Sequence, residues 1–340
     1  MQIVNSYYMG AIMENHILWV NKNEIESLLD MKGTLKAVEE AFRQHGLKKV
    51  QMPPKLYLYF KKHNGDLRTM PAYLEEADIT GVKIVNVHPD NPKKGLPTVM
   101  ALVILNSTKT GAPLAVMDGT LLTDMRTGAA GGIAVKYLAR KNSKVVGLVG
   151  SGNQAKTQLL AINEVLDIEE VKVTSISEKS NLIFKETMEK KVGCKITVKR
   201  SIREVCDCDI LVTTTPSREP IVKNEWIADG THINAIGADA AGKEELDPAI
   251  LKRAKVVVDD ILQASHSGEV NVPISKKLIT VKDICCELGE VITGMKKARM
   301  SDSDITVFDS TGLAIQDVAT ADMVYHKALK ANMGMKLQQF

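Results

Sequence analysis

Residues 145–160 read VVGLVGSGNQAKTQLL, an apolar run that enters Gly150, Ser151 and Gly152 and continues in a helical pattern. Strand, G-x-G-x-x-A and helix, in that order, suit the pyrophosphate of a dinucleotide. Gly150 permits the tight turn, Gly152 lets phosphate approach the backbone, and the small Ala155 lets helix and strand pack. The phosphates then sit on the positive end of the helix. A lone glycine triplet is also an ordinary turn, but this one opens a series of alternating strands and helices. An NAD site usually places an acid at the end of the second strand, roughly 20 residues on, to hold the ribose hydroxyls. Here that strand ends Thr174-Ser175-Ile176-Ser177, followed by Glu178 and Lys179. No carboxylate stands at Ser175 to repel a 2′-phosphate, and two hydroxyls and an amine could accept one. The residues favour NADP, while Glu178 keeps NAD open.

Three other residues invite chemistry. Lys83 stands in the apolar run GVKIVN (81–86), where an unpaired ammonium is costly to bury. On residues alone it reads equally as an edge-strand lysine turned to water. Arg126, in TDMRTG (123–128), sits where two differently patterned parts of the chain meet. A guanidinium offers two parallel donors to a planar carboxylate, and serves equally as a solvated helix residue. Asp239, in AIGADAAGK (235–243), follows a strand-like run. Ligands of parallel sheets bind at the carboxyl ends of the strands, although a turn or cap aspartate fits the same place. Nearby Lys243 suits a cofactor contact and Asp247 a helix cap. His88, in NVHPDN, reads as a loop-fixing His-Pro turn rather than a base. The seven histidines show no metal-ligand spacing, and no serine elbow occurs.

The elements that would position these residues fall into two patterns. From 144 to 310, strand-like runs at 144–150, 171–176, 195–199, 209–215, 231–237, 254–260 and 305–310 alternate with helical stretches such as 154–166 and 178–191. That alternation implies a parallel sheet covered on both faces. The first third instead carries a helical stretch at 21–46, then extended runs at 56–60, 80–86 and 99–105 with turn signals at 63–66 and 108–113. It reads as a separate α+β unit. A helix over 123–140 leads into the parallel part, and its small residues Gly128 to Gly132 permit close packing against another backbone. A last helix over 312–334 returns to the first unit and makes it discontinuous.

Composition bounds the rest. The chain has 340 residues, 44% hydrophobic and 25% charged, with a net charge of +3. That balance argues against a nucleic-acid or membrane partner, and no apolar span of membrane length occurs. The first fifteen residues lack the pattern of a signal peptide. Five cysteines in C-x-C and C-C spacing fit neither a disulfide framework nor a four-ligand zinc site. Reduced thiols and a cytoplasmic location are expected.

Taken in order, MPPK (52–55), MPAY (70–73), GVKIVNVHPDNPKKGLPTV (81–99), MDGTLLTDMRTGAA (117–130), GSGNQA (150–155), TTTPS (213–217), INAIGADAAGKEEL (233–246) and FDSTGLAIQD (308–317) resemble the ornithine cyclodeaminase/mu-crystallin family, which includes archaeal-type alanine dehydrogenases. The resemblance implies an α/β fold with a Rossmann-type doubly wound parallel sheet over 129–312. It also implies a discontinuous substrate and dimerisation domain over 1–128 and 313–340, in a homodimer. It makes Lys83 a polarising group at the reacting carbon and Asp239 the acid/base. Lys55 and Arg126 become clamps for the substrate carboxylate, and Thr311 lies on the substrate side. Thr98, Thr127, Asn153, Gln154, Thr214, Ile236 and Ser310 match cofactor-contacting positions. One departure stands out. Cyclodeaminases carry an acid two residues before the Met-Pro of the MPAY-like motif, for the side-chain amine of ornithine, and here that place is Arg68. The expected activity is therefore that of an NAD(P)-dependent oxidoreductase acting on the C–N bond of a small α-amino or imino acid, as alanine dehydrogenase or an imino acid reductase. The alternatives are ornithine cyclodeamination to proline and an NADPH-dependent ligand-binding protein like mu-crystallin.

Overall fold

The computed structural model describes residues 16–338, so the leader expectation for the first fifteen lies outside the described residues. In chain order these form β1 (His16–Val20), α1 (Lys22–Leu28), α2 (Met31–Gly46), β2 (Val50–Gln51), β3 (Leu56–Phe60), β4 (Gly65–Leu74), β5 (Ile79–Val87), β6 (Val99–Ser107), β7 (Pro113–Asp118) and α3 (Thr120–Leu138). Next come β8 (Val145–Val149), α4 (Asn153–Val165), β9 (Glu170–Thr174), α5 (Glu178–Val192), β10 (Lys195–Val198), α6 (Ile202–Cys206), β11 (Ile210–Thr213), β12 (His232–Ala235) and α7 (Pro248–Arg253). The chain closes with β13 (Lys255–Val258), α8 (Ile261–Ser267), α9 (Asn271–Ser275), β14 (Ile284–Glu287), α10 (Leu288–Ile292), β15 (Thr306–Asp309), α11 (Ala314–Ala331) and β16 (Met335–Gln338).

The chain divides into two units, the first holding residues 16–29, 51–123 and 317–338, the second 30–50 and 124–316. The pattern over 21–46 predicts one helix, and the structure has two. Leu29 is extended and Asp30 accepts a hydrogen bond from the Gly33 amide at 2.6 Å, capping a fresh start. The second of these helices, α2, groups with the second unit rather than with the N-terminal strands.

In the first unit the strands run β16-β1-β7-β6-β5-β4, with β3 on β4. β4 to β7 are antiparallel neighbours, and β1 joins β7 in parallel. Period-two alternation in β5 sends its side chains to two faces. Register then defines rows across the sheet. Leu56–Thr69–Ile84–Leu102 and Leu58–Leu67–Asn86–Met100 share one face, where Leu56, Leu58, Met100 and Leu102 are exposed. Met70–Lys83–Val103–Met117 form a buried row on the other face, with Tyr57–Arg68–Val85–Ala101 beside it. α11 buries Val318, Ala321, Val324 and Ala328 at helical spacing. It approaches β5 closely: a Cβ at Gly81 would lie 3.4 Å from Val318 and 2.5 Å from the Ile104 carbonyl oxygen.

The second unit is a parallel sheet in the order β10-β9-β8-β11-β12-β15-β13-β14. It is the doubly wound arrangement expected from the alternation. One apolar cluster gathers Val149, Leu211, Ile233, Val256 and Val307, and another gathers Val146, Leu148, Val171, Val173 and Val212. Neighbouring residues of one strand fall in different clusters, so both faces are buried and the strands read as continuous apolar runs. The small residues of α3 are spent inside this unit. Side chains at Gly128, Gly131 and Gly132 would collide with Thr157, Gln158 and Ala161 of α4. They are therefore packing glycines, and lend no support to pairing between subunits.

Candidate active site

Five predicted cofactor residues fall on one line. Val149, Thr174, Thr213, Ala235 and Asp309 are register partners and the last residues of β8, β9, β11, β12 and β15. Gly150, Ser175, Thr214, Ile236 and Ser310 each come next, at the carboxyl edge of the sheet. Crossovers leave β8 toward β9 on one side, while β11 lies on the other, so Gly150 is at the topological switch point.

The local geometry suits a pyrophosphate. Gly150 has φ +110°, and a Cβ there would collide with the Thr214 hydroxyl. At Gly152 a Cβ would meet nothing within 4 Å, so the approach to the backbone is open. Gly152 begins α4 without a side-chain cap, which leaves that helix end to a ligand. Two buried polar atoms without a partner, Gln154 Oε1 and Ser310 Oγ, belong to residues assigned to the cofactor. Asn153 is the first, exposed residue of α4. Thr127 is buried, its carbonyl oxygen accepting from Gln158 Nε2 at 2.9 Å. The residues present thus fit a dinucleotide. Ser175 donates to Asn181 Oδ1 at 2.6 Å and lies 3.0 Å from the Ser151 hydroxyl, which ties the end of β9 to the glycine turn.

Around this edge stand the candidate chemical groups of the second unit. Asp239 is half-exposed and 2.6 Å from Lys243 Nζ, while Asp247 caps α7 through the Ala249 amide. Arg126 is buried, donates to Gln316 Oε1 at 2.8 Å, and lies against Gly312, whose φ of +76° and lack of Cβ make the room. Thr311 is already engaged. Its hydroxyl and amide donate to Asp259 at 3.0 and 2.7 Å, and the Gly312 amide donates to the same carboxylate at 2.7 Å.

Asp259 escaped the sequence reading, although it directly follows β13 within the run AKVVVDD (254–260), at the same sheet edge. So did Glu245, which accepts the amides of Thr215 at 2.6 Å and Gly237 at 2.9 Å and so fastens the loops after β11 and β12. Burial raises its carboxyl. Glu269 is raised further by complete burial and by neighbouring Glu245, and it accepts the amides of Glu245 and Leu246 at 2.9 and 2.7 Å. Asp124 was missed as well. Burial pushes its carboxyl up to about 6, against the pull of Arg126 and of hydrogen bonds from Asn153 and Gln154.

In the first unit Lys83 is 1% exposed and Asp317 0%, and the ammonium lies 2.8 Å from each carboxylate oxygen. β5 is an interior strand, so the edge-strand reading of Lys83 is wrong. Asp317 carried no signal of this in the sequence, since an acid in the first turn of a helix is ordinary; only the fold shows it buried beside a cation. Arg68 shares the sheet face of Lys83 and Val85. Its guanidinium grips Asp66 at 2.8 and 3.2 Å and lies 5.2 Å over the Tyr57 ring. Lys55, partly buried, immediately precedes β3, and the Thr98 carbonyl oxygen accepts the His88 amide at 2.8 Å. The His88 ring stacks on Phe60 at 6.0 Å, a loop-fixing role.

A doubly wound sheet with a glycine turn, an uncapped helix end and this row of strand-end residues is the arrangement of a dinucleotide-binding protein. The family model for the ornithine cyclodeaminase/mu-crystallin family matches residues 14–332. The chain belongs to that family and is an enzyme acting on the amino- or imino-acid C–N bond with NAD(P). It is 57% identical over 328 residues to the alanine dehydrogenase of Archaeoglobus fulgidus, covering 96% of this chain and 99% of that one. A solved archaeal alanine dehydrogenase dimer with bound NAD superposes with a TM-score of 0.92 at 57% identity, over 96% of this chain and all of that one. The Delta(1)-pyrroline-2-carboxylate reductase of Thermococcus litoralis, in complex with NADH and L-proline, also gives a TM-score of 0.92, at 43% identity over 94% of this chain and 100% of that one. No helix among the described residues is long and apolar enough to cross a membrane.

Proposed function

We propose that the chain is an amino acid dehydrogenase of the alanine dehydrogenase type, interconverting a small α-amino acid with its imine and 2-oxo acid. The observation that carries this is Arg68. It stands where the resemblance gives cyclodeaminases an acid, and it makes a two-point contact with Asp66. A second substrate ammonium would meet a guanidinium there rather than a carboxylate. Lys55 and Arg126 hold the substrate carboxylate. Lys83, whose ammonium lies 2.8 Å from Asp317, withdraws electrons from the group at Cα. Asp239, 2.6 Å from Lys243 Nζ, takes the amine proton and positions the water that attacks the imine carbon. The dinucleotide, when bound, exchanges a hydride with Cα.

The reading includes both cofactors. The relatives with NAD and NADH support NAD, whereas the absence of an acid at Ser175, with Lys179 exposed close by, supports acceptance of NADP. Ser175→Asp then lowers the NADP/NAD ratio of kcat/KM by at least about tenfold, through like-charge repulsion, and an unchanged ratio refutes the assignment. The reading also includes a homodimer, supported by the exposed apolar rows of β3 and β6 and by the dimeric archaeal relative. Light scattering at micromolar concentration tests it.

The deciding experiment follows absorbance of the reduced nicotinamide with both cofactors and a panel of amino and imino acids. Net cofactor reduction by a small amino acid supports the dehydrogenase. Ornithine consumed without net reduction supports the cyclodeaminase, since that reaction returns its hydride. Cofactor binding with no turnover supports the binding-protein reading.

A further inference from the structure

At the very start of α4, a carboxylate engages the side chain of the helix's second residue. Asp124, on α3, accepts from Gln154 Nε2 at 2.8 Å, and the Asn153 side chain helps to lower its carboxyl against burial. These are the first two residues of the helix whose uncapped end faces the glycine turn. The Gln154 amide group gives its N–H to Asp124, and its carbonyl oxygen is buried without a donor. The charged groups acting on Asp124 are Arg126 on its own helix and Lys156 on α4.

We propose that Asp124 is a positioning residue for the dinucleotide: it aims Asn153 and Gln154, and binding of the anionic cofactor is coupled to uptake of a proton by its carboxyl. This rests on the dinucleotide reading above. Two properties of the site combine. The hydrogen bond fixes the Gln154 amide with its N–H on Asp124, which leaves its buried carbonyl oxygen as an acceptor still to be satisfied. The negative charge, meanwhile, competes with a pyrophosphate for the same positive helix end. Bringing a dianion beside a buried carboxylate favours the protonated acid, which keeps an acceptor oxygen for Gln154 and loses the repulsion. Burial has already brought the carboxyl up to about 6 in the protein alone, so the coupling falls in a range accessible to experiment. The sign follows: cofactor binds best with Asp124 protonated, and affinity declines as pH rises through about 6 until it reaches the higher value of the bound state.

The test measures Kd for NADH by nucleotide fluorescence at constant ionic strength from pH 5.5 to 8.5, on the full chain. Wild type should weaken by about tenfold across that range, since each unit of coupled titration is tenfold in affinity. Asp124→Asn, which keeps the acceptor and removes the charge, should flatten the profile and bind more tightly than wild type at pH 8. Asp124→Ala, which removes both, should also be flat but bind more weakly than Asp124→Asn. Parallel profiles for wild type and Asp124→Asn overturn the coupling while leaving the dinucleotide reading intact. Equal affinities of the Asn and Ala variants overturn the positioning role. Absence of NADH binding by wild type at every pH overturns both this proposal and the function it rests on.

Discussion

Lys83 and Asp317 form an ion pair with almost no access to water, so its disruption has a calculable effect on folding as well as on activity. The perturbation is Lys83→Met, close in length and shape to the lysine stem. With the ammonium 2.8 Å from both carboxylate oxygens, the attraction is about 6 kcal/mol at an effective dielectric constant of 20. Desolvation of both ions offsets much of that, so the pair as a whole adds little net stability. The single variant is different, because Asp317 stays buried and loses the ammonium 2.8 Å away. Removing one partner of such a pair destabilises by about 3–5 kcal/mol. Asp317→Leu, which takes the carboxylate from the buried lysine, should fall in the same range. Replacing both at once, as Lys83→Met with Asp317→Leu, should recover most of the loss. Urea unfolding of the three variants at one fixed protein concentration gives the cycle, and a coupling energy of about 3 kcal/mol or more is expected. Single variants within about 1 kcal/mol of wild type would show that water reaches the pair. The case for Lys83 as a preset charge would then fall. Activity separates the roles further: the double variant folds yet lacks the cation, so its kcat should stay as low as that of Lys83→Met.

Asp239→Asn should lower kcat by about 10²–10⁴-fold with little change in cofactor Kd, as expected for loss of a general base; steady-state kinetics beside direct binding measurements check this. Arg126→Ala should raise KM more than it lowers kcat, because a carboxylate clamp serves ground and transition states alike. An equal fall in kcat and kcat/KM would instead place it at the reacting carbon. Gly150→Ala should abolish dinucleotide binding, since φ of +110° and the Thr214 hydroxyl both oppose a Cβ, and titration with NADH reads this directly. Asp124→Asn should stabilise the fold above pH 6 by about 3 kcal/mol at most: a carboxyl raised from 3.8 to about 6 binds protons more tightly folded than unfolded, so its cost grows as pH rises through that window. Urea midpoints at pH 5 and pH 8 test the sign.

The parallel sheet was legible because burial on both faces leaves continuous apolar runs, and because the glycine turn can be located by its spacing. Each of the seven runs predicted between 144 and 310 contains a strand, and the extra strand β14 was missed because ICCE (284–287) is short and lies among turn residues. Local signals also misled. Residues 21–46 keep helical periodicity through Leu29 and Asp30, and only the capping aspartate marks the break. Among site residues, those defined by backbone geometry, such as Gly150, could be read from type alone. Lys83 could be flagged as anomalous but not resolved, since its partner lies 234 positions away. Asp124, Glu245 and Asp259 went unseen for a related reason. Each is one acid among many in the sequence, and becomes special only when the fold wraps amides or amide side chains around it.

The alignment of Gly150, Ser175, Thr214, Ile236 and Ser310 one step beyond five hydrogen-bonded strands has a bearing on how such an enzyme changes over time. Every strand delivers one position to a common shelf, and the ladder beneath fixes the height of that shelf. A substitution on the shelf alters what lies upon it without disturbing the ladder, so on the reading proposed above nucleotide preference can drift at Ser175 while Gly150 and Thr214 keep their geometry. An inserted residue inside a strand has the opposite effect, turning buried side chains to the wrong face and lifting one position out of line. The fold therefore makes cofactor choice cheap to revise by point mutation and resistant to change by insertion, which directs any effort to re-engineer it toward the strand ends.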